Sequence, residues 1–223
     1  MDLALCAAGA VAGFGFGWFA AAYQHLLYRE PQFRAEHLAG RRLLFVRVLL
    51  AIACGAAAGL ALRPGHYELG PALLTALFAL ALLVLASTDF ERKRLPNKLM
   101  YPTIVLAAAF SWAWPDRDVE HIFLGAGAAI GIAIALFAFG VLTGALLRVR
   151  ATAFGLGDVK LIILLGLLSG WPAFFPALLY GVLAAGAVSL ALIVRGRSKT
   201  VFSYGPYLVL GGLVVLLWPS TFV

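Results

Sequence analysis

Residues 70–98 read GPALLTALFALALLVLASTDFERKRLPNK. From Gly70 to Thr88 no side chain is charged; Asp89 then ends the run, and Glu91, Arg92, Lys93, Arg94 and Lys98 follow it closely. A helix needs about 20 apolar residues to cross roughly 30 Å of hydrocarbon. A run of that length that stops at a basic cluster reads as a membrane helix leaving lipid on its cytoplasmic side.

The same pattern recurs along the chain. Apolar runs over about 4–27, 43–62, 70–88, 99–114, 121–147, 158–171, 173–194 and 204–219 predict an all-α fold. Composition agrees: 63% of the 223 residues are hydrophobic and 12% charged, against roughly 45–50% and 25% in soluble domains. A single soluble core of this length could not hide that much apolar surface. The basic residues then orient the runs. Those after the first, third, fifth and seventh runs account for fifteen of the 17 Lys and Arg, leaving Arg63 and Arg117 on the other side. By the positive-inside rule those four loops are cytoplasmic. The expectation is a polytopic integral membrane helix bundle of about eight transmembrane helices with both termini outside, forming one domain over 1–223.

This arrangement accounts for the net charge of +7 by topology, and no basic stripe with interleaved aromatics suggests nucleic acid. Met1-Asp2 offers no positive start to a signal peptide, so the first run reads as a retained span. Cys6 and Cys54 lie far apart inside apolar runs and form no metal-ligand pair. Glycines such as those in Ala10–Gly17 predict close helix packing. Asp2, Glu68, Asp116, Asp118 and Glu120, with His66 and His121 beside them, fall in the outer loops as solvated surface.

Asp89 and Asp158 stand apart. Asp158 opens an apolar run directly after Gly155-Leu156-Gly157, and although 69 residues separate it from Asp89, both sit at cytoplasmic ends of runs. Two carboxylates in one partly desolvated site cannot both ionise cheaply, so one keeps a proton. The charged one can take a proton from water while the protonated one hydrogen-bonds a scissile carbonyl, which amounts to peptide hydrolysis without metal or covalent intermediate. The plain alternative is that each caps a helix or pairs with a neighbouring base. Gly155 and Gly157 permit close or left-handed turns beside the second carboxylate. Ser203-Tyr204-Gly205-Pro206-Tyr207 opens the last run from the same side and can line such a site.

In combination these stretches resemble the type IV prepilin leader peptidases, membrane aspartyl proteases of the GxGD class. The resemblance rests on Asp89 with Leu95-Pro96-Asn97 and Pro102, then Gly155-Leu156-Gly157-Asp158-Val159-Lys160, then Tyr204-Gly205-Pro206-Tyr207 with Gly211-Gly212. It covers roughly residues 70–223 as the protease core, with 1–43 holding the first helix and a shortened loop. It implies that Asp89 and Asp158 are catalytic, and that Gly155, Gly157, Tyr204, Gly205 and Pro206 contact substrate. The substrates implied are prepilins or pseudopilins, whose basic leader is removed at the cytoplasmic face of the bacterial inner membrane. Bifunctional members also N-methylate the product with S-adenosylmethionine and carry two C-x-x-C pairs in the first loop. Here that loop has no cysteine, so zinc is not expected, proteolysis needs no cofactor, and S-adenosylmethionine enters only if methylation is retained. Two rival classes are a cation- or proton-coupled transporter using the two aspartates and a non-catalytic assembly subunit.

Overall fold

The computed structural model describes residues 3–27, 41–115, 117–146, 155–195 and 203–219. Among them are eight α-helices and no strand: α1 (Leu3–Tyr23), α2 (Arg41–Ala61), α3 (Leu69–Arg92), α4 (Asn97–Phe110), α5 (Val119–Leu146), α6 (Leu156–Ser169), α7 (Phe174–Val194) and α8 (Gly205–Leu217). A 3-10 turn, Gln24–Leu27, extends α1, and another, Ser111–Ala113, follows α4. Arg29, Arg34, Asp116, Arg148, Arg150, Arg197 and Lys199, with Asp2 and most of the first loop, lie outside the described residues.

Each helix falls on one of the apolar runs, but not all are long enough to cross a bilayer. Five are long and apolar enough: α1, α2 from Leu43, α3, α5 up to Leu142, and α7. The helices α4 and α6 have 14 residues each and α8 has 13, which at about 1.5 Å per residue gives roughly 20 Å. They are helical as expected but shorter than the hydrocarbon layer. The run over 99–114 is cut because the helix gives way to a 3-10 turn at Ser111. The run over 158–171 is cut because Gly170 takes φ +66 and reverses the chain toward α7.

The chain forms two compact units, Met1–Thr103 and Ile104–Val223. In the first, α1 and α2 run antiparallel, and glycine sets how closely they meet. A Cβ on Gly13 would stand 2.5 Å from the Cys54 carbonyl oxygen, and one on Gly17 2.6 Å from that of Leu50. Gly55 answers from α2, where a Cβ would be 2.9 Å from the Ala10 oxygen. The two backbones therefore touch along three turns, as small residues permit where lipid supplies no hydrophobic drive. Cys6 adds an Sγ–H bond to the Gly59 carbonyl at 3.1 Å. Helix α3 closes on this pair through Val84, which packs with Ala21, Val46, Leu50 and Cys54.

In the second unit α6 is the inner helix, with Leu161, Ile162, Leu164, Leu165 and Leu168 all fully buried. It packs against α5, α7 and α8. Ala129 of α5 meets Gly166 of α6, and Gly125 lies against the Gly170–Trp171 backbone. Large apolar side chains such as Phe19, Phe123, Phe139, Leu183 and Leu190 face outward. Small residues at the helix contacts and large apolar side chains on the outward face are the distribution expected when lipid is the solvent.

The connection between α2 and α3 holds a polar cluster. Arg63 and His66 Nδ1 hydrogen-bond at 3.2 Å, and the imidazole lies 4.3 Å from the Tyr67 ring. His66 is therefore packed into its loop and is not simply solvated. Burial, and secondarily the Arg63 charge, lower its pKa below the usual histidine value.

Two outcomes follow. Gly13→Ala forces the α1 and α2 backbones apart and lowers thermal stability in detergent by about 1–3 kcal/mol; Gly15→Ala, where an added Cβ meets nothing within 4 Å, does not. Below the usual histidine pKa of about 6.5 the unfolded chain takes up a proton that folded His66 resists, so its contribution falls as pH drops and is level above that range. His66→Gln flattens that acid limb in melting curves taken from pH 5 to 8.

Candidate functional site

Asp89 lies in the last turn of α3 and is 5% exposed. Helix α3 stops four residues later because Lys93 adopts φ 54, ψ 33, and its N–H closes onto the Asp89 carbonyl at 2.7 Å. This left-handed cap is unusual for a residue with a Cβ. It turns the chain into Leu95-Pro96-Asn97, where the Pro96 carbonyl accepts from Leu99 and Met100 at 3.1 and 3.0 Å and starts α4. Thr88, also buried, donates its hydroxyl to the Leu85 carbonyl at 2.8 Å.

Asp158 lies in the first turn of α6, half-buried, three residues after the N-cap Gly155. Its Oδ2 accepts from the Gly155 N–H at 3.1 Å, and its own N–H donates to the Gly155 carbonyl at 3.0 Å. This is half a capping box, since glycine has no side chain to complete it. The capping role expected of an aspartate at a helix start is thus realised, and it holds one carboxylate oxygen in a fixed direction. Gly155 has φ −87, ψ 155, ordinary extended backbone, and Gly157 is not among the positive-φ residues. The left-handed option is therefore unused. Among the described residues, a Cβ on Gly155 would meet Asp158 Oδ2, at 3.5 Å, and Gly157 N, at 3.9 Å, so glycine leaves the flank of the carboxylate unfilled by them.

Tyr204 is the N-cap of α8, with Gly205 and Pro206 in the first turn; the Tyr204 carbonyl accepts from Tyr207 and Leu208 at 3.1 and 3.2 Å. Two glycines seat α8. Gly211 lies against Ala177 and Gly181 of α7, while Gly181 faces Leu208, so α7 and α8 are antiparallel. Gly212 lies against Leu165 of α6. Since α6 and α7 are joined by a tight reversal, α8 runs parallel to α6. Counting back from the Gly212–Leu165 contact, Pro206 and Asp158 lie about 9–11 Å below it on their helices. The second unit therefore brings Gly155, Gly157, Asp158, Tyr204, Gly205 and Pro206 to one end. Arg195 ends α7 at that same end, and Arg117 and His121 lie at the other. Asp89 belongs to the first unit.

In the first unit, too, one end gathers polar groups. Gln24, 1% exposed, donates Nε2 to Ser87 Oγ at 2.9 Å, and Lys98 Nζ donates to the Leu26 carbonyl at 3.0 Å. The sequence reading passed over this pair. Gln24 sits where an apolar run frays, and only a three-dimensional contact distinguishes it from a surface amide. No group of three or more His, Cys, Asp or Glu that could hold a metal ion occurs among the described residues.

Comparisons with known proteins bear on this geometry. Residues 76–190 match a model of the type IV leader peptidase family, a segment that contains both aspartates. A prepilin leader peptidase/N-methyltransferase from Aeromonas hydrophila is 30% identical over 174 residues, covering 76% of this chain and 56% of that protein. The protein of the same name from Escherichia coli K12 is 29% identical, with 78% and 72% covered. One from Burkholderia pseudomallei strain 1026b is 31% identical over 157 residues, with 69% and 48% covered. The chain thus spans about half the length of most of the curated relatives it matches. No solved structure matches it.

The cap predicts a separation of effects. Asp158→Asn keeps an acceptor for the Gly155 N–H and costs less than about 1 kcal/mol of stability; Asp158→Ala removes it and costs about 1 kcal/mol. Unfolding titrations in mixed micelles measure both.

Proposed function

This chain belongs to the type IV leader peptidase family, and on that footing we propose that it is a membrane aspartyl endopeptidase that removes the leader from prepilins or pseudopilins. The reading is carried by one observation: the segment matching the family holds Asp89 and Asp158, each in a terminal turn of its helix. The proposed arrangement is a bundle of eight spans forming a single domain, with its protease core over 70–223, set in the bacterial inner membrane. Its active site faces the cytoplasm, and its short helices are completed by neighbouring turns.

In the proposed mechanism the two carboxylates share one proton. The ionised one takes a proton from a water molecule as it attacks the scissile carbonyl, and the other donates a hydrogen bond to the carbonyl oxygen. Oδ2 of Asp158 is held by the Gly155 N–H, which fixes the direction of the carboxylate that takes part in the reaction. The open flank at Gly155 admits an extended substrate backbone, and Tyr204, Gly205 and Pro206 form the adjoining wall. A substrate with a membrane helix meets this site by lateral diffusion in the bilayer. The proposed chemistry uses only these groups and needs no bound cofactor.

The relatives' name also includes N-methyltransferase. The same assay reads that second activity. Purified protein is incubated with a prepilin, with and without S-adenosylmethionine, and the product is weighed. Loss of the leader mass is expected, and one added methyl group marks a retained transferase. Asp89→Asn and Asp158→Asn each reduce cleavage at least about 100-fold while expression and helicity are kept. Cleavage retained in either variant removes that residue from the mechanism, and uptake of cations into proteoliposomes that depends on either one overturns the protease reading.

A further inference from the structure

We propose that the 3-10 turn Gln24–Leu27 is a clamp that positions Asp89, with Gln24 as the positioning residue acting through Ser87. The inference rests on the reading of Asp89 as catalytic and assigns a task to a part of the chain outside the family match, which begins at residue 76.

The turn makes two bonds to one segment. Gln24 Nε2 donates to Ser87 Oγ at 2.9 Å, and the Leu26 carbonyl accepts from Lys98 Nζ at 3.0 Å. Ser87 and Lys98 bracket the residues that define the site's local geometry: Asp89, the left-handed cap at Lys93 and the Leu95-Pro96-Asn97 turn. A terminal helical turn frays when nothing outside the helix holds it, and here the first helix supplies that hold.

The geometry separates positioning from contact. Successive residues on a helix advance by about 100°, so Ser87 and Asp89, two apart, point to nearly opposite sides. Gln24 therefore grips the back of α3 while Asp89 occupies the front. Energetics point the same way. Gln24 is 1% exposed, and its Oε1 is buried with no hydrogen-bond partner among the described residues. A buried carbonyl left without a donor is costly, and an apolar side chain would fill the same space without that cost. What only an amide supplies there is the donor to Ser87. Ser87 follows Leu80, Leu83 and Val84 on one face of α3, residues that pack against α1 and α2, and its bond to Gln24 is part-buried beside that contact.

The test uses the full chain in lipid nanodiscs with the variants Gln24→Leu, Ser87→Ala, their combination, and Ser87→Thr, which keeps a hydroxyl. Two readouts are taken: amide hydrogen exchange along α3 and α4, and the kcat and KM of prepilin cleavage. In Gln24→Leu the Lys93 and Met100 amides, bonded to Asp89 and Pro96, exchange about tenfold faster, the equivalent of one hydrogen bond, while those of Ala72–Phe78 do not change. Cleavage loses about tenfold or more in kcat with KM held, as expected when a catalytic group is displaced. The double variant is no worse than Gln24→Leu, and Ser87→Thr restores both readouts. Unchanged exchange at Lys93 and Met100, or a uniform rise along α3, overturns the clamp. Faster exchange there with kcat unaltered overturns its role in positioning Asp89. A wild-type protein that never cuts a prepilin defeats the proposed activity instead, and the exchange pattern still decides whether the clamp exists.

Discussion

Lipid gives two helices no hydrophobic reason to associate, so the packing of this chain depends on how closely backbones can approach. Gly13 against the Cys54 carbonyl, Gly166 against Ala129 and Gly211 against the Ala177–Gly181 stretch are three cases of the same solution. Each replaces a side chain with backbone contact and so fixes the axial register of two helices. That register carries the functional groups with it. The seat of Gly211 and Gly212 brings Tyr204 and Pro206 to the end of α6 where Asp158 lies, and the α1–α2 contact sets the height from which Gln24 reaches Ser87.

Asp158 is both a helix cap and a candidate acid or base, its Oδ2 accepting from the Gly155 N–H. The Asp89 main-chain carbonyl accepts from the Lys93 N–H where α3 ends. In both cases a backbone bond at a helix end fixes the turn that carries a carboxylate the medium would otherwise penalise.

Much of this was legible in the sequence because hydropathy and helix position are tightly coupled in a membrane chain. All eight helices fall on the apolar runs, and Asp89 and Asp158 occupy the run ends assigned to them. Length was less legible. An apolar run does not say where a helix gives way to a 3-10 turn, as at Ser111, or where one glycine reverses the chain, as at Gly170. The pairing of Gln24 with Ser87 was hidden for another reason. A single amide between apolar residues has no periodic signature, and its meaning comes only from the helix it touches.

The brevity of α6 bears on how the protein is made. A segment of 14 residues is a weak stop for a translocation channel that releases helices into lipid according to their apolar length. After four intervening residues α7 begins, with 21 residues and no charge within it. In the proposed bundle of eight spans the two enter the bilayer most readily as one hairpin, with the longer arm supplying the partitioning energy that the shorter arm lacks. The helix bearing Asp158 then depends for its insertion on a neighbour synthesised after it, and the proposed site, which includes Tyr204–Pro206, is complete only once the last helix has followed.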